Sequence, residues 1–161
     1  MRRPSRSAKT CKYVYRAVDK QGQTIEFMLS AKRDVTAAKQ FFKKLMRADH
    51  RRLPFSVCVD KNAAYPEAFT SSQDAKILPS DCKLRRVKYL NNVIEQDHRF
   101  VKKKVRAAQG FKGFHTAERT LEGIEAMNMM RKSQVKRLAG SDAQGQAKFV
   151  LNLFQIATYI E

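Results

Sequence analysis

Two acidic residues stand where metal-assisted chemistry could be done. Asp60 closes the apolar run PFSVCVD, Glu95 opens the polar segment NNVIEQDHRFVKKKVRAAQ, and 34 residues, Lys61 through Ile94, lie between them. In open α/β sheets functional groups collect at the carboxyl ends of strands, because the loop that follows opens a crevice there. A second carboxylate at the head of a helix can meet the first across that crevice. Mg²⁺ and Mn²⁺ take oxygen ligands and keep several waters, so a pair of carboxylates can hold them beside a phosphate oxygen. Two such ions flanking one phosphate activate the attacking oxygen and stabilise the leaving one. The expected chemistry is phosphoryl transfer, with Asp60 and Glu95 as catalytic and metal-binding residues.

The cations around these acids suggest the substrate. At helical spacing Glu95, His98, Arg99, Lys102 and Arg106 share a face, acidic at its start and basic thereafter. The run Arg99, Lys102, Lys103, Lys104, Arg106 and Lys112 contains no acid. Such a run can be a solvated face, but directly after a metal-binding Glu it would follow a nucleic-acid backbone. We therefore read Lys61, His98, Arg99, Lys102, Lys103, Arg106 and Lys112 as the DNA-binding set. His50 and His115 are lone and read as surface residues, and Tyr65 reads as packing on a sheet.

The elements that must carry these groups follow from periodicity. KYVYRAVD and TIEFMLS alternate apolar and polar residues around the KQGQ turn, which predicts a β-hairpin from about Lys12. Asp34 or Thr36 can cap a helix running to about Ala48, with Val35, Ala38, Phe41, Phe42 and Leu45 as its buried stripe. PFSVCVD has the uncharged, β-branched character of a strand buried on both faces, with Cys58 in the core. KNAAYPEAF suggests a short helix weakened by Pro66, and Ala75–Leu78 and Leu84–Leu90 read as extended pieces around a PSDCK turn. Asn91 or Asn92 then caps the long helix, whose Val93, Ile94, Asp97, Val101 and Val105 form the other face.

GFKGF must end that helix. Another begins near Thr116, with Leu121, Ile124, Met127 and Met130 as an apolar stripe. A last amphipathic helix after Ser141 would present Phe149, Val150, Leu153, Phe154 and Ala157. The chain thus reads as a disordered basic start over 1–11, one α/β domain over 12–135, and a helical tail over 136–161.

Composition points the same way. The 161 residues include 33 Lys and Arg against 15 Asp and Glu, a formal charge of +18. So large an excess favours a polyanionic partner, since neutralising phosphates releases condensed counterions. No apolar run approaches the roughly 20 residues of a spanning helix, and MRRPSRSAKT lacks a secretory apolar core, so a cytoplasmic protein is expected. Cys11, Cys58 and Cys82 are odd in number with no CxxC pair, which argues against disulfides and thiolate zinc.

Three segments, VDKNAAYP, LRRVKYLNNVIEQDHRFVKKKVRAAQGFKGF and TLEGIEAMNMMRKSQ, resemble the transposases of the insertion sequence six family, which carry a D-D-(34)-E triad. The resemblance runs from about Lys12 to about Phe154 and is most specific at NNVIEQDHR. It implies an RNase H-like mixed sheet flanked by helices, with Asp60 and Glu95 as the second and third catalytic acids and Lys102 as the cation seven residues beyond the Glu. It further implies Mg²⁺ or Mn²⁺ as cofactor, and DNA partners in the form of terminal inverted repeats and target DNA. A homo-oligomer, or association with intact transposase, is the protein partnership to expect. The family's first Asp, on a strand of DETY type, and its helix-turn-helix have no counterpart here, because residues 1–18 contain no Asp or Glu. Asp19 sits at the KQGQ turn and reads as a turn residue rather than a replacement. Ser133 stands where the family's RKGQ motif has Gly. The resemblance thus implies a truncated DDE transposase whose relatives cleave and join DNA, inactive alone. A noncatalytic, basic nucleic-acid binder or a transposase-interacting remnant is the alternative.

Overall fold

The computed structural model describes residues 13–47, 53–87, 92–107 and 113–154; the side chains of 92–94, 97 and 107 are outside that description. Its elements run β1 (Tyr13–Val18), β2 (Thr24–Ser30), α1 (Val35–Arg47), β3 (Ser56–Val59), α2 (Ala64–Asp74), β4 (Lys83–Arg86), α3 (Asn92–Ala107), α4 (Phe114–Arg131) and α5 (Ala143–Leu153). Over the described residues the chain divides into two compact units, one within Met1–Asp19 and Thr24–Glu95, the other within Lys20–Gln23 and Gln96–Glu161.

In the first unit β1 and β2 form the expected antiparallel hairpin, Tyr13 opposite Ser30 and Ala17 opposite Glu26, with an irregularity at Val18. Strands β3 and β4 pair in parallel, Ser56 with Lys83 and Val59 with Arg86. Parallel neighbours need a crossover, and α2 supplies it. Pro66 falls in the first turn of α2, where a missing N–H removes no helical bond, so the 11-residue helix forms in spite of it.

Of the two candidate caps for α1, Asp34 does the work: its Oδ1 accepts the Ala37 N–H at 2.9 Å. Ala37, Ala38, Phe41, Phe42 and Leu45 are buried along α1, and the helix packs on α2. Edge-on and tilted rings join them, Tyr15 to Phe41 at 5.5 Å, Phe42 to Phe69 at 6.1 Å and Tyr15 to Tyr65 at 6.5 Å between centroids. Ala68, Leu78 and Cys82 complete this core, with Val57 and Leu84 against it.

Several expectations fail locally. Strand β3 is not buried on both faces: only Val59 is buried, Cys58 is partly exposed, and Phe55 just ahead is 69% exposed. Among the described residues β4 is the only strand bonded to it, so one edge and much of one face lack the cover that a central strand receives. Ala75–Leu78 is a turn rather than a strand, with Lys76 at φ 54° and the Ile77 and Leu78 amides both donating to the Ser72 carbonyl. The strand expected over Leu84–Leu90 is confined to Lys83–Arg86 within the described residues.

In the second unit Val101, Ala117, Leu121, Met130 and Leu138 are buried. The Arg131 guanidinium lies 5.1 Å from the Phe100 ring, tying α4 to α3. At the hairpin tip Gly22 takes φ 78°, and its carbonyl accepts from Lys132 Nζ at 2.7 Å. Gly140 passes so close to the Arg131 carbonyl that a Cβ could not fit. The methionine stripe is rotated from its expected place: Met127 is 47% exposed, whereas Glu125 and Asn128 are buried beside Leu121. Along α5 no side chain is buried, and Leu153 and Phe154 are 68% and 69% exposed. Apolar spacing thus identified that helix without its burial, and Ala157 lies outside the described residues. No described helix is long and apolar enough to cross a membrane.

Candidate functional site

Asp60 is the first residue after β3, and its carboxylate is half-exposed. One oxygen, Oδ2, receives Arg33 Nη2 at 2.6 Å. The other, Oδ1, accepts the Asn62 N–H at 3.0 Å, and Asn62 Oδ1 in turn accepts the Ala64 N–H at 2.8 Å. These two turns lead the chain from the strand into α2 and fix where the carboxylate points. Arg86, paired with Val59 at the end of β4, donates to the Lys61 carbonyl at 3.1 Å. Three cationic residues, Arg33, Lys61 and Arg86, therefore gather at the strand end that Asp60 terminates.

Below the carboxylate lie two tyrosines. Tyr65 packs against Tyr15 and Phe42, as expected of a core ring. Its hydroxyl is pushed up to about 12, first by burial and then by the Asp60 and Tyr15 charges, while Arg33 opposes them. Tyr15 moves the same way, chiefly by burial, and its hydroxyl is buried without a hydrogen-bond partner among the described residues.

Because β3 and β4 are parallel, both strands leave the sheet at one edge, and the chain beyond β4 enters α3 at Asn92. Glu95 occupies the first turn of α3 and is exposed. Along the same helix Arg99, Lys102, Lys103, Lys104 and Arg106 are exposed, His98 is partly so, and Val101 is buried on the opposite side. Lys104 also lies 5.9 Å over the Phe100 ring. Lys112 and Asn91 fall outside the described residues.

The oxygen donors suit a hard divalent cation in kind. In number they fall short: among the described residues no three His, Cys, Asp or Glu side chains cluster at metal-binding spacing. Arg33 and Arg86 escaped the sequence reading. The available signal was that AKRD follows the strand TIEFMLS, which puts Arg33 in the loop after β2, and that KLRR is itself a short strand closed by Arg86.

A family model described as a DDE domain matches residues 7–134. The transposase for insertion sequence-like element IS431mec of Staphylococcus aureus (strain Mu50 / ATCC 700699) is 36% identical over 126 residues, 78% of this chain and 54% of that protein. The same figures hold for the transposase for insertion sequence element IS257 in transposon Tn4003 of Staphylococcus aureus. An uncharacterized protein, pYV0051, of Yersinia pseudotuberculosis serotype I (strain IP32953) is 36% identical over 59 residues, 36% of this chain and 55% of its own length. The chain spans about half the length of the curated relatives it matches. No solved structure matches it.

Proposed function

Since the chain belongs to the DDE-domain family of insertion-sequence transposases, we propose that it carries the second and third acids of a DNA-cleaving and strand-transferring centre, on part of an RNase H-like fold. The supporting observation is the position of Asp60, half-exposed at the end of a parallel strand pair from whose same edge the chain runs on to Glu95. When bound, Mg²⁺ or Mn²⁺ would activate the attacking oxygen and stabilise the leaving one.

This chain's own residues orient and bind. Asn62 holds one Asp60 oxygen, and Arg33 neutralises the other. The exposed α3 cations, Arg99, Lys102, Lys103 and Arg106, grip the phosphate backbone. On this reading the 161-residue chain contributes Asp60 and Glu95, binds DNA and does not cut it alone. The alternative reading is a noncatalytic basic platform, which keeps the DNA grip and drops the metal. Association with a second copy or with intact transposase is part of the proposal, as is a cytoplasmic location.

The test uses fluorescence anisotropy with duplex DNA and a nicking and strand-transfer assay in Mg²⁺. Salt-sensitive binding without turnover is expected. Binding indifferent to salt would contradict the phosphate grip, and turnover abolished by Asp60→Ala would contradict the incomplete ligand set. Metal binding unchanged by Asp60→Ala and Glu95→Ala would leave only the noncatalytic reading.

A further inference from the structure

We propose that Arg33 and Arg86, together with Lys61, form a second contact for the DNA backbone, a phosphodiester site at the carboxyl ends of β3 and β4 that works without a divalent cation. It rests on the reading that the chain binds DNA, and it adds to the α3 cations a site built within the first unit. Strand register brings the groups together. Val59 pairs with Arg86, so the last residue of β4 stands beside the turn that follows β3. There Arg86 Nη2 donates to the Lys61 carbonyl at 3.1 Å. Arg33 reaches in from the loop after β2 and donates to Asp60 Oδ2 at 2.6 Å. Arg33, Lys61 and Arg86 are all exposed.

The two arginines are held in different ways. A carbonyl carries no net charge, so its bond fixes the Arg86 guanidinium without neutralising it. Among the described residues neither Arg86 nor the Lys61 ammonium has an ion pair. A guanidinium offers five N–H donors in a planar fork that suits a phosphate, and the carbonyl takes one of Arg86's. Arg33 is shared with Asp60, but that pair is 44% and 42% exposed and so holds its partners weakly. The neighbouring acid, Asp34, commits Oδ1 to the Ala37 N–H at the head of α1, whose positive helix end offsets its charge. Three cations therefore outweigh the Asp60 carboxylate, and the excess draws an anion to this edge. On this arrangement Asp60 opposes DNA binding, because it repels the phosphate and occupies Arg33.

The experiment measures duplex-DNA anisotropy on the full chain in EDTA at several salt concentrations. It compares the unsubstituted chain with Arg33→Gln, Arg86→Gln, Arg86→Lys, Asp60→Asn and Lys43→Gln. Glutamine removes the charge and keeps an N–H donor for the Asp60 carboxylate or the Lys61 carbonyl, which preserves the local fold. Lys43 is exposed about 12 Å along α1 from its first residue and controls for net charge. Arg86→Gln should lower the slope of log K against log salt by about 0.9, the share of one phosphate. Between 50 mM and 200 mM salt that variant forgoes an affinity loss of about three- to four-fold. Arg33→Gln should lower the slope at least as much, since it also leaves Asp60 bare, and Arg86→Lys should keep the original slope. Asp60→Asn should tighten binding about two- to five-fold, the range of an exposed ion pair. Unchanged slopes in both arginine variants would overturn the proposal, as would an equal effect of Lys43→Gln or weaker binding by Asp60→Asn. If the unsubstituted chain binds without salt dependence, the DNA reading itself falls first. If it binds with salt dependence and the arginine variants match it, this inference alone falls.

Discussion

Replacing Arg99, Lys102 and Arg106 together by alanine should cut the salt dependence of DNA binding by a calculable amount. The three side chains are exposed on α3 while Val101 opposite is buried, so their loss leaves the helix packing intact. At 1.5 Å per residue, positions 99 to 106 span about 10.5 Å of helix. Phosphates of one strand of B-DNA recur about every 3.4 Å along the axis, so about three fall within that reach. Each neutralised phosphate contributes about 0.9 to the slope of log K against log salt, and three contribute about 2.7. Between 50 mM and 200 mM salt, a fourfold change, the variant should therefore forgo an affinity loss of about forty-fold that the original chain suffers. Anisotropy titrations of a duplex oligonucleotide at four salt concentrations would measure both slopes. Equal slopes would refute the reasoning and return these cations to a merely solvated face.

Other consequences follow from the first unit's core. Phe42, 2% exposed and ringed by Tyr65 and Phe69, should cost about 3–5 kcal/mol when changed to alanine, read from urea unfolding. Tyr15→Phe should be neutral or stabilising by about 1–2 kcal/mol, because it removes a buried hydroxyl with no partner among the described residues; a loss of stability would reveal a bond to that oxygen. Tyr65 ionises near 10.0 unfolded and about 12 folded, so its contribution is complete below pH 10 and is lost as pH rises from 10 to 12. Tyr65→Phe should flatten that alkaline limb, measured as the difference in urea midpoint between the two proteins at pH 9 and pH 11.

The sequence exposed the elements whose periodicity is tied to the core. On the hairpin Tyr15, Ala17 and Met28 pack with Phe41 and its neighbours, and α1 repeats at helical spacing because it buries the same core; the burial of Arg16 next to Tyr15 was not part of that pattern. Strand β3 misled because an apolar run signals burial only if neighbours cover it, and among the described residues β4 alone is bonded to it. The stripe on α4 misled differently: Glu125 and Asn128 are buried where hydropathy alone would put them in water. At the site, Asp60 at a strand end and Glu95 in the first turn of a helix were legible from local pattern. The Arg33–Asp60 pair was not, since 27 positions separate the partners and only the folded chain brings them to 2.6 Å.

The central claim is that Asp60 and Glu95 address one metal. Trace Mn²⁺ added to isotopically labelled chain broadens amide resonances near the ion, so the amides around Asp60 and Glu95 should fade together at the same concentration. Broadening at one of them alone, or uniform broadening over the whole chain, would contradict it.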